Sequence, residues 1–69
     1  MEIFAQRLKE IRKERKKRQM DVAEHLGITL RAYQFYESAT NYPDVAGLIK
    51  LADYLDISID YLLGRSEER

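Results

Sequence analysis

Two short amphipathic segments bent around a glycine, Gln19 to Ser38, constrain this chain more than any other feature. In the first, Val22, Ala23 and Leu26 share one helical face, while Asp21, Glu24 and His25 fall elsewhere. Gly27 stops that helix, because a chain leaving a helix for a tight turn needs a residue that accepts positive φ without steric cost. Thr29 starts the next one, its hydroxyl being able to accept a backbone N–H of the new first turn. The pattern is that of a helix-turn-helix unit.

Projected at about 100° per residue, the second helix of the pair separates into two faces. Ala32, Tyr33 and Tyr36 form an inward stripe for packing on the first helix. Leu30, Arg31, Gln34, Phe35 and Ser38 span the outward arc. Arg and Gln side chains pair bidentately with guanine and adenine edges, and apolar side chains sit against thymine methyl groups. Leu30, Arg31, Gln34 and Phe35 are therefore the candidate base contacts.

A formal net charge of zero argues weakly against a nucleic-acid partner, since phosphate binding rests on Lys and Arg. The distribution of charge matters more. Residues 1–35 carry nine cationic side chains against five carboxylates, and residues 36–69 carry three against seven, so the halves have charges of +4 and −4. The run Arg12 to Arg18 places cations at the negative end of the first helix, a stabilising arrangement in itself. Beside a helix-turn-helix, Lys16, Lys17 and Arg18 also read as phosphate contacts.

The 69 residues amount to one domain, close to the lower size at which a single core holds without staples. Without cysteine there are neither disulfides nor thiolate metal sites, and no apolar run reaches the length of a signal peptide or membrane span. A cytoplasmic protein is expected. His25, the only histidine, has no second ligand at metal spacing and reads as a surface residue. No nucleophile, acid–base pair or glycine-rich phosphate loop is present, so neither catalysis nor a cofactor is expected.

Around the central pair the pattern predicts three more helices. The first runs from about Ile3 to Arg15 and buries Phe4, Leu8 and Ile11. The fourth is capped by Asp44 and turns Val45, Leu48, Ile49, Ala52 and Leu55 to the core, with Gly47 marking close packing or mere tolerance. Ser58 caps a short fifth helix with Ile59, Leu62 and Leu63, stopped by Gly64. Residues 1–64 are expected to form the domain, and 65–69, without an apolar anchor, a flexible tail.

Read in order, R-L-K-E-I-R-K-E-R (Arg7 to Arg15), Gln19, D-V-A-E-H-L-G-I-T (Asp21 to Thr29), Y-Q-F-Y-E-S (Tyr33 to Ser38), Y-P-D (Tyr42 to Asp44) and L-I-K-L-A-D-Y-L…S-I-D-Y-L-L-G-R-S (Leu48 to Ser66) resemble the Cro/C1 (phage-repressor-like, Xre) helix-turn-helix family over nearly the whole chain. The resemblance implies an all-α, five-helix, lambda-repressor-like fold with the helix-turn-helix at helices two and three. It also implies that Gln19 contacts a phosphate and that Arg12 pairs with Glu37, since an unpaired buried carboxylate costs several kcal/mol. Thr29, Ser38 and Asn41 join the expected phosphate contacts.

The chain departs from the family at two turns. Lys16, Lys17 and Arg18 replace the usual glycine, apolar residue and hydroxyl before Gln19, so the second helix starts one or two residues later or is capped by Asp21. Ala39 replaces the glycine after helix three, whose left-handed cap would offer backbone N–H groups to a phosphate; Asn41 can adopt that conformation instead, with the turn shifted by two residues.

The function expected is sequence-specific binding of double-stranded DNA by a transcriptional regulator, a repressor that meets a palindromic operator as a homodimer. The C-terminal segment is the expected dimer contact, since Tyr61, Leu62 and Leu63 offer more apolar surface than one inward stripe needs; the alternative is that all three complete the core. The alternative function is a protein-interaction module on the same fold, with an antitoxin-like or coactivator-like partner.

Overall fold

The chain forms five helices, α1 (Glu2–Glu14), α2 (Gln19–Leu26), α3 (Leu30–Glu37), α4 (Val45–Leu55) and α5 (Ile59–Leu62), in a computed structural model that describes residues 2–69. Short acceptor side chains set four of the starts. Thr29 Oγ1 accepts from Ala32 N at 3.1 Å, Asp44 Oδ1 from Gly47 N at 2.8 Å and Ser58 Oγ from Tyr61 N at 2.9 Å. Each satisfies an N–H that the first helical turn leaves without a partner.

At α2 the acceptor comes from inside the helix. The helix begins at Gln19, with no delay, and Asp21 accepts the backbone N–H of Arg18 at 2.8 Å. The Arg18 guanidinium folds onto the same carboxylate at 2.7 Å and 3.2 Å. Having no acceptor of its own, that guanidinium cannot supply the reciprocal bond of a capping box. Hydrogen bonds from Arg18, first through its side chain and then through its backbone, lower the Asp21 carboxyl to about 2.

All five helices end in one way. After α1 a left-handed Lys16 sends its N–H to Lys13 O while Lys17 N reaches Arg12 O, and the same pair of bonds recurs after α2 through Gly27 and Ile28. It recurs after α3 through Ala39 and Thr40, after α4 through Asp56 and Ile57, and after α5 through Gly64 and Arg65. This double closure requires positive φ one residue beyond the cap. Lys16, Ala39 and Asp56 adopt it at 58°, 62° and 57° without being glycine. The two-residue shift of the turn that Asn41 could have supported does not occur: distance from the end of α3 fixes the left-handed position at residue 39.

The core brings together Phe4, Leu8 and Ile11 from α1, Val22 and Ala23 from α2, Tyr33 from α3, Leu51 and Leu55 from α4, and Ile57, Tyr61 and Leu62. Two expectations for α4 fail. Val45 is 72% exposed and Ile49 47% exposed, whereas Leu51 is fully buried. The inward stripe runs through Leu48, Leu51, Ala52 and Leu55, and Val45 and Ile49 lie to one side of it. The apolar arc written in the sequence is wider than the surface that α2 and α5 cover. Gly47 marks close packing, since a Cβ there would lie 3.0 Å from Pro43 Cβ.

The segment after α5 folds back on polar anchors. Arg7 donates to Tyr61 O at 2.6 Å and Ser66 O at 2.9 Å and pairs with Glu67 at 2.8 Å, its guanidinium 4.2 Å from the Tyr61 ring centre. Arg69 pairs with Glu14 at 2.8 Å. Tyr61 and Leu62 are buried and Leu63, half-buried, packs on the core, so these side chains complete the core, the alternative the sequence left open. Four residues wedged against α1 and α4 spend their apolar side chains inside.

Candidate nucleic-acid interface

Glu37, the last residue of α3, sits at the base of the helix-turn-helix with 5% of its side chain exposed. Arg12 of α1 reaches it from below, Nε donating to Oε2 at 2.6 Å and Nη2 to Oε1 at 3.2 Å. The third guanidinium nitrogen, Nη1, donates to Lys17 O at 2.9 Å and ties down the turn into α2. Tyr33 donates its hydroxyl to Oε2, and Gln19 donates Nε2 to Oε1 at 3.1 Å. One carboxylate therefore locks α1, α2 and α3 together, and among the described residues no buried side-chain nitrogen or oxygen lacks a partner.

Burial pushes the Glu37 carboxyl up, but the hydrogen bonds from Arg12, Tyr33 and Gln19 outweigh it and hold the group below the usual range. The hydrogen bond to Glu37 raises Arg12 against the opposing effect of burial. Tyr33 is pushed up by burial and by the carboxylate beside it. The hub is thus a carboxylate, a guanidinium and a neutral phenol. Tyr33 was read from the sequence only as core; its four-residue spacing from Glu37, which puts the two on one face, was the available signal.

Above this hub α3 presents its outer face. Arg31 and Gln34 are exposed, Leu30 and Phe35 are half-buried, and the Arg31 guanidinium lies 5.3 Å from the Phe35 ring centre. Gln34 Nε2 donates to Gln19 Oε1 at 3.2 Å. Gln19 thereby joins the outer face of α3 to the hub from the first position of α2, where free N–H groups also favour an anion.

The other candidates lie around this face in different conditions. Lys16 is exposed and makes no ion pair among the described residues. Arg18 shares its charge with Asp21 but keeps 80% of its side chain in solvent. Lys17 differs from its neighbours: it is half-buried, its ammonium 5.3 Å from the centre of the Tyr54 ring, on which His25 stacks at 4.1 Å. Its position is the one before the helix cap, where side chains turn back over the helix, and the lysine stem occupies the place an apolar residue would take. Thr29 is exposed at the start of α3, and Ser38 Oγ donates to Phe35 O at 3.2 Å at its end. Asn41 is exposed, its side chain accepting from Tyr42 N at 3.0 Å.

Two helices bridged by a left-handed glycine, with the second presenting an exposed Arg and Gln over a buried ion pair, define a helix-turn-helix protein. The helix-turn-helix family model matches residues 8–62, and the chain belongs to that family, of the Cro/C1 type. It is 44% identical over 68 residues to the uncharacterized HTH-type transcriptional regulator YqaE of Bacillus subtilis, covering 97% of this chain and 59% of that one. It is 45% identical over 60 residues to the cryptic phage CTXphi transcriptional repressor RstR of Vibrio cholerae, covering 87% and 54%. A crystal structure of a transcriptional regulator from Listeria innocua superimposes with a TM-score of 0.85 at 36% identity, covering 96% of this chain and 62% of that one. The chain thus spans between half and two thirds of the length of these relatives.

Proposed function

We propose that this chain is a sequence-specific DNA-binding unit of a transcriptional regulator, acting as a repressor on a palindromic operator as a homodimer. The observation that carries the reading is the exposed face of α3, where Arg31 and Gln34 stand on a helix fixed from beneath by Arg12 and Glu37. An α-helix fits the major groove, and these two side-chain types match base edges there. The names of the relatives, regulators and a phage repressor, agree with it.

In this arrangement Leu30, Arg31, Gln34 and Phe35 face base edges. Lys16, Arg18, Gln19 and Thr29 address phosphates on one side of α3, and Ser38 and Asn41 address them on the other. Lys17 is left out of the phosphate set because its ammonium is turned to Tyr54.

Two variants separate the roles when titrated at several salt concentrations against a duplex selected from a random pool and against a scrambled one. Arg31→Ala is expected to lose about 1–3 kcal/mol on the selected duplex and to relax selectivity at one base position. Lys16→Ala is expected to weaken both duplexes alike and to lower the salt slope by about one. Equal weakening of both duplexes by Arg31→Ala would make Arg31 a phosphate anchor. Absence of any salt-sensitive binding of the wild type to either duplex, with no sequence selected from the pool, would favour a protein partner over DNA.

A further inference from the structure

We infer that Glu37, which is too buried to touch DNA, sets which base Gln34 reads by fixing the direction of two side-chain amides in series. The inference rests on the DNA-reading role proposed for α3 and names the specificity of one of its positions.

The chemistry of the hub forces the direction. Glu37 is ionised and already accepts from Arg12 and Tyr33, so it can offer Gln19 only an acceptor. Gln19 must therefore turn its NH2 group inward, where Nε2 donates to Glu37 Oε1 at 3.1 Å. That leaves Gln19 Oε1 facing outward as an acceptor. Gln34 meets it with its own NH2 group, Nε2 donating at 3.2 Å. One of the two N–H bonds of Gln34 is consumed in this way, and its Oε1 and second N–H remain for a ligand.

A glutamine free to rotate can present two donors, or a donor and an acceptor, to the groove. Here the first arrangement is closed, because flipping Gln34 would set its oxygen against that of Gln19, and flipping both would set the Gln19 oxygen against the Glu37 carboxylate. What remains outward is one acceptor beside one donor. Adenine offers the complement, the N6 amino group as donor and N7 as acceptor, whereas guanine offers only the acceptors O6 and N7 on that edge. The relay therefore selects adenine over guanine opposite Gln34. The carboxylate acts as a positioning group through Gln19, without a base contact of its own.

The test uses Gln19→Met, which keeps the length of the side chain, removes both relay bonds and leaves Arg12–Glu37 in place. Gln34→Ala identifies the base pair concerned, as the position whose preference it erases in selection from a random duplex pool. Wild type and Gln19→Met are then titrated against duplexes that differ only there, with thermal unfolding run in parallel to confirm that both are folded. Wild type is expected to prefer adenine to guanine by about ten-fold or more, the size of one bidentate contact. Gln19→Met is expected to reduce that ratio to within about three-fold, on top of a uniform loss on every duplex from the missing phosphate contact. An undiminished ratio in Gln19→Met, or a wild-type preference for guanine, overturns the relay while leaving DNA reading by α3 intact. A Gln34→Ala variant with unchanged preferences at every position overturns the relay together with the base-reading role of Gln34.

Discussion

The Glu37 carboxylate receives four hydrogen bonds from three side chains while almost wholly buried, and the residue-scale consequences follow from that count. Removing it leaves the Arg12 guanidinium buried without a counter-charge, so Glu37→Ala is expected to destabilise the fold by about 3–5 kcal/mol. Arg12→Met with Glu37→Leu removes both charges and is expected to lose less than the two single changes combined. It will not be neutral, because the Tyr33 hydroxyl then loses its acceptor, a loss worth about 1–3 kcal/mol. Urea denaturation of wild type, both single variants and the double variant checks this, and additive losses below about 0.5 kcal/mol each would mean a pair without structural weight. Arg12 and Glu37 were legible because the family pattern couples those positions. The helical wheel put Glu37 at the edge of the inward arc, but angle alone does not tell how far Tyr33 or Gln19 reaches, so the other two donors stayed hidden.

At the level of elements, the starts were easier to read than the stops. Thr29, Asp44 and Ser58 cap through local hydrogen bonds to residues three positions on, and such bonds are written in the sequence. A stop through a left-handed residue is equally local, but only Gly27 and Gly64 announce it; Lys16, Ala39 and Asp56 do the same against their own preference. A left-handed L-residue costs roughly 1–2 kcal/mol, partly offset in a glycine variant by the entropy of the unfolded chain. Lys16→Gly and Ala39→Gly are each expected to raise stability by about 1 kcal/mol, and Asp56→Gly by less, because Asp tolerates this conformation better. Thermal unfolding would show it as upward shifts in Tm, and a downward shift for Ala39→Gly would contradict it. The α4 stripe was misread for a different reason: Val45 and Ile49 repeat at helical spacing, yet periodicity cannot say how wide a face the neighbouring helices will cover.

For the molecule as a whole, the polarised charge seen in the sequence is partly spent on construction. Arg7 and Arg15, which lie outside the buried stripe expected of α1, donate to backbone carbonyls at Tyr61, Ser66 and Leu55. Such long-range bonds link residues 40 or more positions apart and leave no local pattern. The Cα atoms span 29 × 23 × 20 Å, and successive half-sites on one face of B-DNA lie about 34 Å apart. With the longest of these directions laid along the duplex and side chains added, two copies on adjacent half-sites would come within contact distance. Mass measurement by sedimentation is expected to give two chains per selected palindromic duplex and one on a duplex carrying a single half-site. One chain on both duplexes would exclude the dimer.

The hub beneath α3 also bears on how such a protein diversifies. Among the described residues the side chains of Leu30, Arg31 and Phe35 make no hydrogen bond to the scaffold, and the guanidinium of Arg31 lies against Phe35 on the same helix. On the base-reading role proposed for α3, exchanging these three alters the vocabulary of the helix and leaves its hydrogen-bonded mounting in place. Gln34 belongs to the vocabulary and the mounting at once, through Gln19. Lineages descending from this scaffold can therefore drift at residues 30, 31 and 35 one mutation at a time, whereas a new letter at residue 34 requires a matched change at residue 19.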